Sequence, residues 1–169
     1  RYIINETKNE TEMNKEFTAD AKDKLLAKSK TNDTTTVNNY KQLYDHIHYL
    51  KTQGTLKSYI INLNPKGDFS ITDTIFWGDG KSQAKNLTIN GNGATIDGKG
   101  KKCFLTIFPN YTLTLNNLNI INNYRYHDGG GAIFVNTDGK LYVNSCNFTK
   151  CKSSNINENV HGGAIRGGF

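Results

Sequence analysis

Alternation of apolar and polar residues at every second position organises the chain from Leu87 to Ile165. Leu87-Thr88-Ile89-Asn90, Leu113-Thr114-Leu115-Asn116 and Leu141-Tyr142-Val143-Asn144 each set two apolar residues around an outward Thr or Tyr, as a strand with one buried face does. Each ends on Asn, which tolerates the left-handed backbone of a corner. A second set follows them: Ala94-Thr95-Ile96, Leu118-Asn119-Ile120 and Cys146-Asn147-Phe148. The third is Phe104-Leu105-Thr106-Ile107-Phe108, then Ala132-Ile133-Phe134-Val135 and Ala164-Ile165, the last two behind the glycine pairs Gly130-Gly131 and Gly162-Gly163.

Spacing decides the expected architecture. Leu87 to Leu113 is 26 residues (113 − 87) and Leu113 to Leu141 is 28 (141 − 113). Repeats of roughly 20 to 50 residues mark solenoids, propellers or arrays. Three short strands per unit, with no helix between them, exclude the helical solenoids. The expected fold is therefore all-β, a parallel β-helix whose coils each give one strand to three sheets. Leu87, Leu113 and Leu141 would line one wall and Ile96, Ile120 and Phe148 the next. Asn90, Asn116 and Asn144 would stack at one corner, where amides bond along the ladder.

Ahead of the repeats, Tyr40, Leu43, Tyr44, Ile47 and Leu50 form a single apolar stripe that predicts a helix over residues 38–52. Asn38 or Asn39 supplies its N-cap and Gly54 its end. Such a helix is expected to cap the first coil. His46 and His48 lie two apart, so they do not share a face. Tyr59–Leu63 and Ser70–Ile75 predict strands of an incomplete first coil, with Asn64-Pro65-Lys66-Gly67-Asp68 as the turn between them. Residues 1–35 are polar and mixed in charge, the composition of a disordered or weakly helical leader. The β-helix is assigned to 36–169, with coils from about 59.

Gly130-Gly131-Ala132-Ile133 and Gly162-Gly163-Ala164-Ile165 resemble the GGAI motif of the chlamydial polymorphic outer membrane protein repeat. Its partner motif, FxxN, is matched loosely by Ile120-Ile121-Asn122-Asn123, while Phe148-Thr149-Lys150-Cys151 carries Cys in place of Asn. The run from Leu87 to Gly98 is similar to the first complete coil of the adhesin-like, Asn/Thr-rich surface proteins of methanogenic archaea. The resemblance spans about residues 36–169. It implies a right-handed parallel β-helix of the pectin-lyase type, exported and displayed at the cell surface.

Composition narrows the picture further. The formal charge is +6, from 21 basic and 15 acidic residues. Because the lysines are dispersed, nucleic acid is not the expected partner. Cys103, Cys146 and Cys151 have no zinc spacing; an odd count permits one disulfide and a spare thiol. No apolar run reaches the ~18–20 residues of a membrane span. Both ends read as cut from a longer chain that continues into further coils. Acceptor sites of the Asn-x-Ser/Thr type stand at Asn5, Asn9, Asn32, Asn86, Asn110 and Asn147. Of these, Asn86, Asn110 and Asn147 fall in the repeats, and Asn147 is expected to face outward.

The polysaccharide lyases and glycoside hydrolases that share the expected fold need paired carboxylates or an acidic calcium site. Asp97-Gly98 and Asp138-Gly139 are turn dipeptides first. His127, Asp128, Glu158 and His161, in the two loops ahead of the glycine pairs, are the best catalytic candidates. Those loops differ in length, with Ile133 to Ile165 spanning 32 residues (165 − 133), which argues against a shared site. No metal or cofactor is expected. The primary expectation is a cell-surface, adhesin-like module that binds a glycan or a protein on another cell. Tyr111, Tyr124, Tyr126 and Tyr142, with outward Thr88, Thr95, Thr114 and Asn119, would form its binding surface. The alternative is a polysaccharide lyase or hydrolase on the same fold.

Overall fold

The computed structural model of the chain describes residues 32–126, 129–154 and 163–168. Strand β1 (Asn32–Asn39) leads into helix α1 (Tyr40–Gln53), followed by β2 (Ser58–Ser70), β3 (Ile75–Trp77), β4 (Asn86–Asn90) and β5 (Thr95–Asp97). Then come β6 (Leu105–Ile107), β7 (Thr112–Asn116), β8 (Asn119–Ile121), β9 (Tyr124–Arg125) and β10 (Ile133–Val135). The remaining strands are β11 (Lys140–Asn144), β12 (Asn147–Thr149), β13 (Lys152–Ser153) and β14 (Ile165–Gly167). Asn32–Thr35, assigned by sequence to the leader, belong to β1; the rest of the leader lies outside the described residues.

The strands do not form the expected right-handed parallel β-helix. They pair in parallel, but an eight-stranded sheet in the order β11-β7-β4-β2-β5-β8-β12, with β1 on the other edge of β2, curls into a half-barrel. The expected separation of walls fails at β2. This strand runs unbroken for 13 residues and pairs with β4 through Ser58–Asn62 and with β5 through Phe69 and Ser70. Two walls are therefore one sheet. The predicted turn at Asn64–Asp68 is extended instead, because proline's fixed φ suits an extended chain as well as a turn, and Asp68 is paired with Asn39 on β1. Gly67 permits that approach, since a Cβ there would lie 2.2 Å from the Asn38 carbonyl. Beside the curled sheet are a four-stranded sheet, β14-β10-β6-β3, and the pair β13-β9.

Inward positions meet like with like across these ladders. Tyr59, Leu87, Leu113 and Leu141 are consecutive partners, as are Phe69, Ile96, Ile120 and Phe148. Ile75, Leu105, Ile133 and Ile165 repeat the arrangement in the four-stranded sheet. Most of these side chains are buried; Leu141, Phe148 and Ile165, on the last strands, are more open. Burial of one such side chain contributes about 1.5–3 kcal/mol.

Helix α1 buries Tyr40, Leu43, Ile47 and Leu50 against β1, β2 and β3. Its N-cap is Asn39, whose Oδ1 accepts from the Gln42 backbone N–H at 2.9 Å, while Gln42 Oε1 accepts from the Asn38 N–H at 2.8 Å. At the other end the Leu50 carbonyl accepts from the Gly54 N–H (3.0 Å) and the Ser82 hydroxyl (2.6 Å). Both helix ends are thus satisfied from neighbouring chain. We predict that Ile47→Ala lowers unfolding free energy in urea by about 2–5 kcal/mol, whereas Lys41→Ala, on the solvent face, changes it by less than ~0.5 kcal/mol. Indistinguishable midpoints for the two variants would show that the helix does not carry core packing.

Candidate functional site

Asn90, Asn116 and Asn144 form an amide ladder that begins one strand earlier, at Asn62. Asn90 Nδ2 donates to Asn62 Oδ1 (2.9 Å), Asn116 to Asn90 (2.9 Å) and Asn144 to Asn116 (2.8 Å). These four are extended strand residues. The left-handed backbone expected of them falls further along, at Asn92, Asn117 and Ser145, with φ of 52°, 52° and 53°. A second ladder on the outer face joins Asn147 Nδ2 to Asn119 Oδ1 at 3.1 Å.

The tyrosines expected to bind glycan do not share one face. Tyr111 is only 7% exposed, with its hydroxyl bonded to Lys85 Nζ and the Gly80 carbonyl and its ring edge-on to Trp77. It is a core residue. Tyr142 (56% exposed) stands on β11 in line with Thr114 and Thr88, whereas Tyr126 (51% exposed) follows β9. Tyr124 is half-buried and its hydroxyl meets Ser154 Oγ. Outward aromatics missed by sequence lie on the four-stranded sheet, where exposed Phe76 and half-buried Phe134 are partners of Thr106 and the Arg125 guanidinium covers the Phe134 ring. Their alternation was legible, but their outward direction was not.

Gly130 and Gly131 are required by close approach. A Cβ on Gly130 would come within 2.6 Å of the Arg166 backbone nitrogen, and one on Gly131 within 2.5 Å of Lys152 backbone atoms. Gly163 has no such crowding. His127, Asp128, Glu158, His161 and Gly162 lie outside the described residues. Among the described residues no group of His, Cys, Asp and Glu is placed to hold a metal. Cys103, Cys146 and Cys151 are free thiols, and burial pushes Cys151 up. Of the three acceptor sites in the repeats, Asn110 is exposed on a turn, whereas Asn86 and Asn147 use their amides in hydrogen bonds to Ser58 and Asn119.

One open groove gathers polar chemistry. Lys99, Gly100, Asn122, Asn123, Tyr124, Lys150 and Lys152 line it, at the corner that follows β5, β8 and β12. Lys99 and Gly100 occupy the centre of a tight turn closed by Lys101 N–H on the Gly98 carbonyl (3.0 Å), both with positive φ. Asn122 and Lys150 are left-handed corner residues that directly follow the paired strands β8 and β12. Beneath them, Asp97 accepts from the Lys99 N–H (2.8 Å) and Asn122 Nδ2 (3.3 Å) and pairs with Lys99 Nζ (3.2 Å). Burial alone would raise the Asp97 carboxyl, but the bonds from Lys99 and Asn122 outweigh it and hold it below the usual range. The 28-residue offset that aligns the strands also aligns Asn122 with Lys150 and Tyr124 with Lys152 (150 − 122, 152 − 124), so the sequence did contain this signal.

Comparison with protein families, characterised proteins and solved structures gives no match.

A depressed carboxyl stabilises the fold above its unfolded pKa of ~3.9 and loses that contribution as pH falls through the folded value. We predict that Asp97→Asn is less stable than wild type at pH 7, and that the gap closes on acidification below about pH 4. Thermal melts of both proteins across pH 2–7 read this directly; a gap that persists at the acid end would assign the effect to packing.

Proposed function

We propose that the chain is a non-catalytic interaction module, displayed at a cell surface, that holds glycan chains. The carrying observation is the outward face of the curled sheet. There, Thr88, Thr114 and Tyr142 are consecutive strand partners, flanked by the amide ladder from Asn62 to Asn144 and by the row Ser58, Asn86, Thr112 and Lys140. Hydroxyl and amide groups repeated at each strand, about 4.8 Å apart, offer a row of donors and acceptors to the hydroxyls of an extended sugar chain. The Asn/Thr-rich composition and the likeness to adhesin-like surface proteins support an extracellular position. No described helix is long and apolar enough to cross a membrane.

A glycan array probed with the full chain is expected to give reproducible binding to extended polysaccharides that weakens at least fivefold in Thr88→Ala/Thr114→Ala. Incubation with the same polysaccharides is expected to release no reducing ends or unsaturated products. Turnover that disappears in Asp128→Asn or Glu158→Gln would overturn the reading in favour of a polysaccharide lyase or hydrolase.

A further inference from the structure

The groove after β5, β8 and β12 has a more particular chemistry than the outer face of the curled sheet. Its middle is the segment Asn122, Asn123 and Tyr124, which runs from the end of β8 into β9. Lysines stand on both sides, Lys99 from the turn after β5 and Lys150 and Lys152 from the segment after β12. Asp97 offsets the charge of Lys99, but no carboxylate among the described residues pairs with Lys150 or Lys152. Within that segment Asn123 is only 1% exposed; its Nδ2 donates to the Ile121 carbonyl at 2.8 Å while its Oδ1 accepts nothing among the described residues. A buried acceptor without a donor is unfavourable, and a hydroxyl or an ordered water in the groove is the group that would satisfy it.

We propose that this groove binds an anionic sugar polymer, with its carboxylate or sulfate groups held between Lys99 on one wall and Lys150 and Lys152 on the other. The proposal rests on the glycan-binding reading above and names the chemistry of one subsite. The lysine-bearing walls flank the middle strand, so two strand spacings, about 9.6 Å, separate them. That width admits one extended chain. Lysines are mobile point charges, suited to acidic groups that recur at slightly varying positions, whereas bidentate recognition would call for Arg. Asn122, Asn123 and Tyr124 supply amide and phenol contacts for the ring hydroxyls between. A single-stranded nucleic acid would instead call for a series of exposed rings on which bases stack, and among the described residues Tyr124, tied to Ser154, is the one ring that lines the groove.

The test measures binding of the full chain by calorimetry to polygalacturonate, dextran sulfate, methyl-esterified polygalacturonate, unsulfated dextran and an oligothymidylate. Wild type is expected to bind one or both acidic polymers, more weakly as salt rises, and which of the two binds identifies carboxylate or sulfate. Lys150→Glu/Lys152→Glu is expected to lose at least tenfold in affinity, and Lys41→Glu, on helix α1, to lose none, with matching melting temperatures confirming that all three are folded. Acidic-polymer binding that ignores the double substitution, or equal binding of esterified and neutral polymers, overturns the groove while leaving the glycan module standing. Tighter, lysine-dependent binding of the oligothymidylate makes the ligand class wrong. If no sugar polymer binds, both proposals fall together.

Discussion

Register is the constraint on which the structure depends. Side chains alternate sides along a strand, so a slip of one residue would turn Leu113 and Leu115 to solvent and bury Thr114. The apolar rows resist that slip from inside. The Asn62–Asn144 ladder resists it from the edge, because each amide reaches its neighbour only when Asn stands opposite Asn. A parallel sheet has no tight hairpins to fix its pairing, so side-chain ladders take over that task.

How far the sequence could be read follows from the same constraint. Where repeats recur, pairing was legible: Leu87, Leu113 and Leu141 are partners, and so are Ile96, Ile120 and Phe148. The helix was legible from its stripe to within two residues at its start and one at its end. What failed was closure into coils. The ends of Ser58–Ser70 match the later repeats, but its unbroken middle, Leu63–Asp68, has no counterpart there, and Asn, Pro and Gly within it read as a turn, although Gly67 serves a close approach to Asn38. Strand β1 was missed because Asn32–Thr36 carry no apolar alternation; it is joined to β2 by backbone pairing, by buried Val37 opposite Leu63 and by the Asn64 amide on Asn38 Oδ1.

Site residues were less legible than fold residues for a physical reason. Inward positions are constrained by packing and show it in composition, whereas outward positions are free to vary. Tyr111 looks like an exposed aromatic in sequence and is buried because Lys85 and Gly80 satisfy its hydroxyl. The groove lysines look like dispersed surface charge, and only the corner geometry of Lys99, Asn122 and Lys150 brings them to one place. Corners thus carry two demands at once, a left-handed backbone that Gly, Asn or a strained residue must satisfy and the side chains best placed to meet a ligand.

Stability should then fade from the centre of the stack toward its edge. Strands β4 and β7 have partners on both sides, while β11 has one among the described residues and its side chains are largely exposed. Hydrogen exchange of the native protein, resolved by segment, measures this gradient. In-register stacking predicts the slowest exchange in Leu87–Asn90 and Leu113–Asn116 and markedly faster exchange in Leu141–Asn144. Equal protection of the three segments, or slower exchange in Leu141–Asn144 than in Leu113–Asn116, would contradict it.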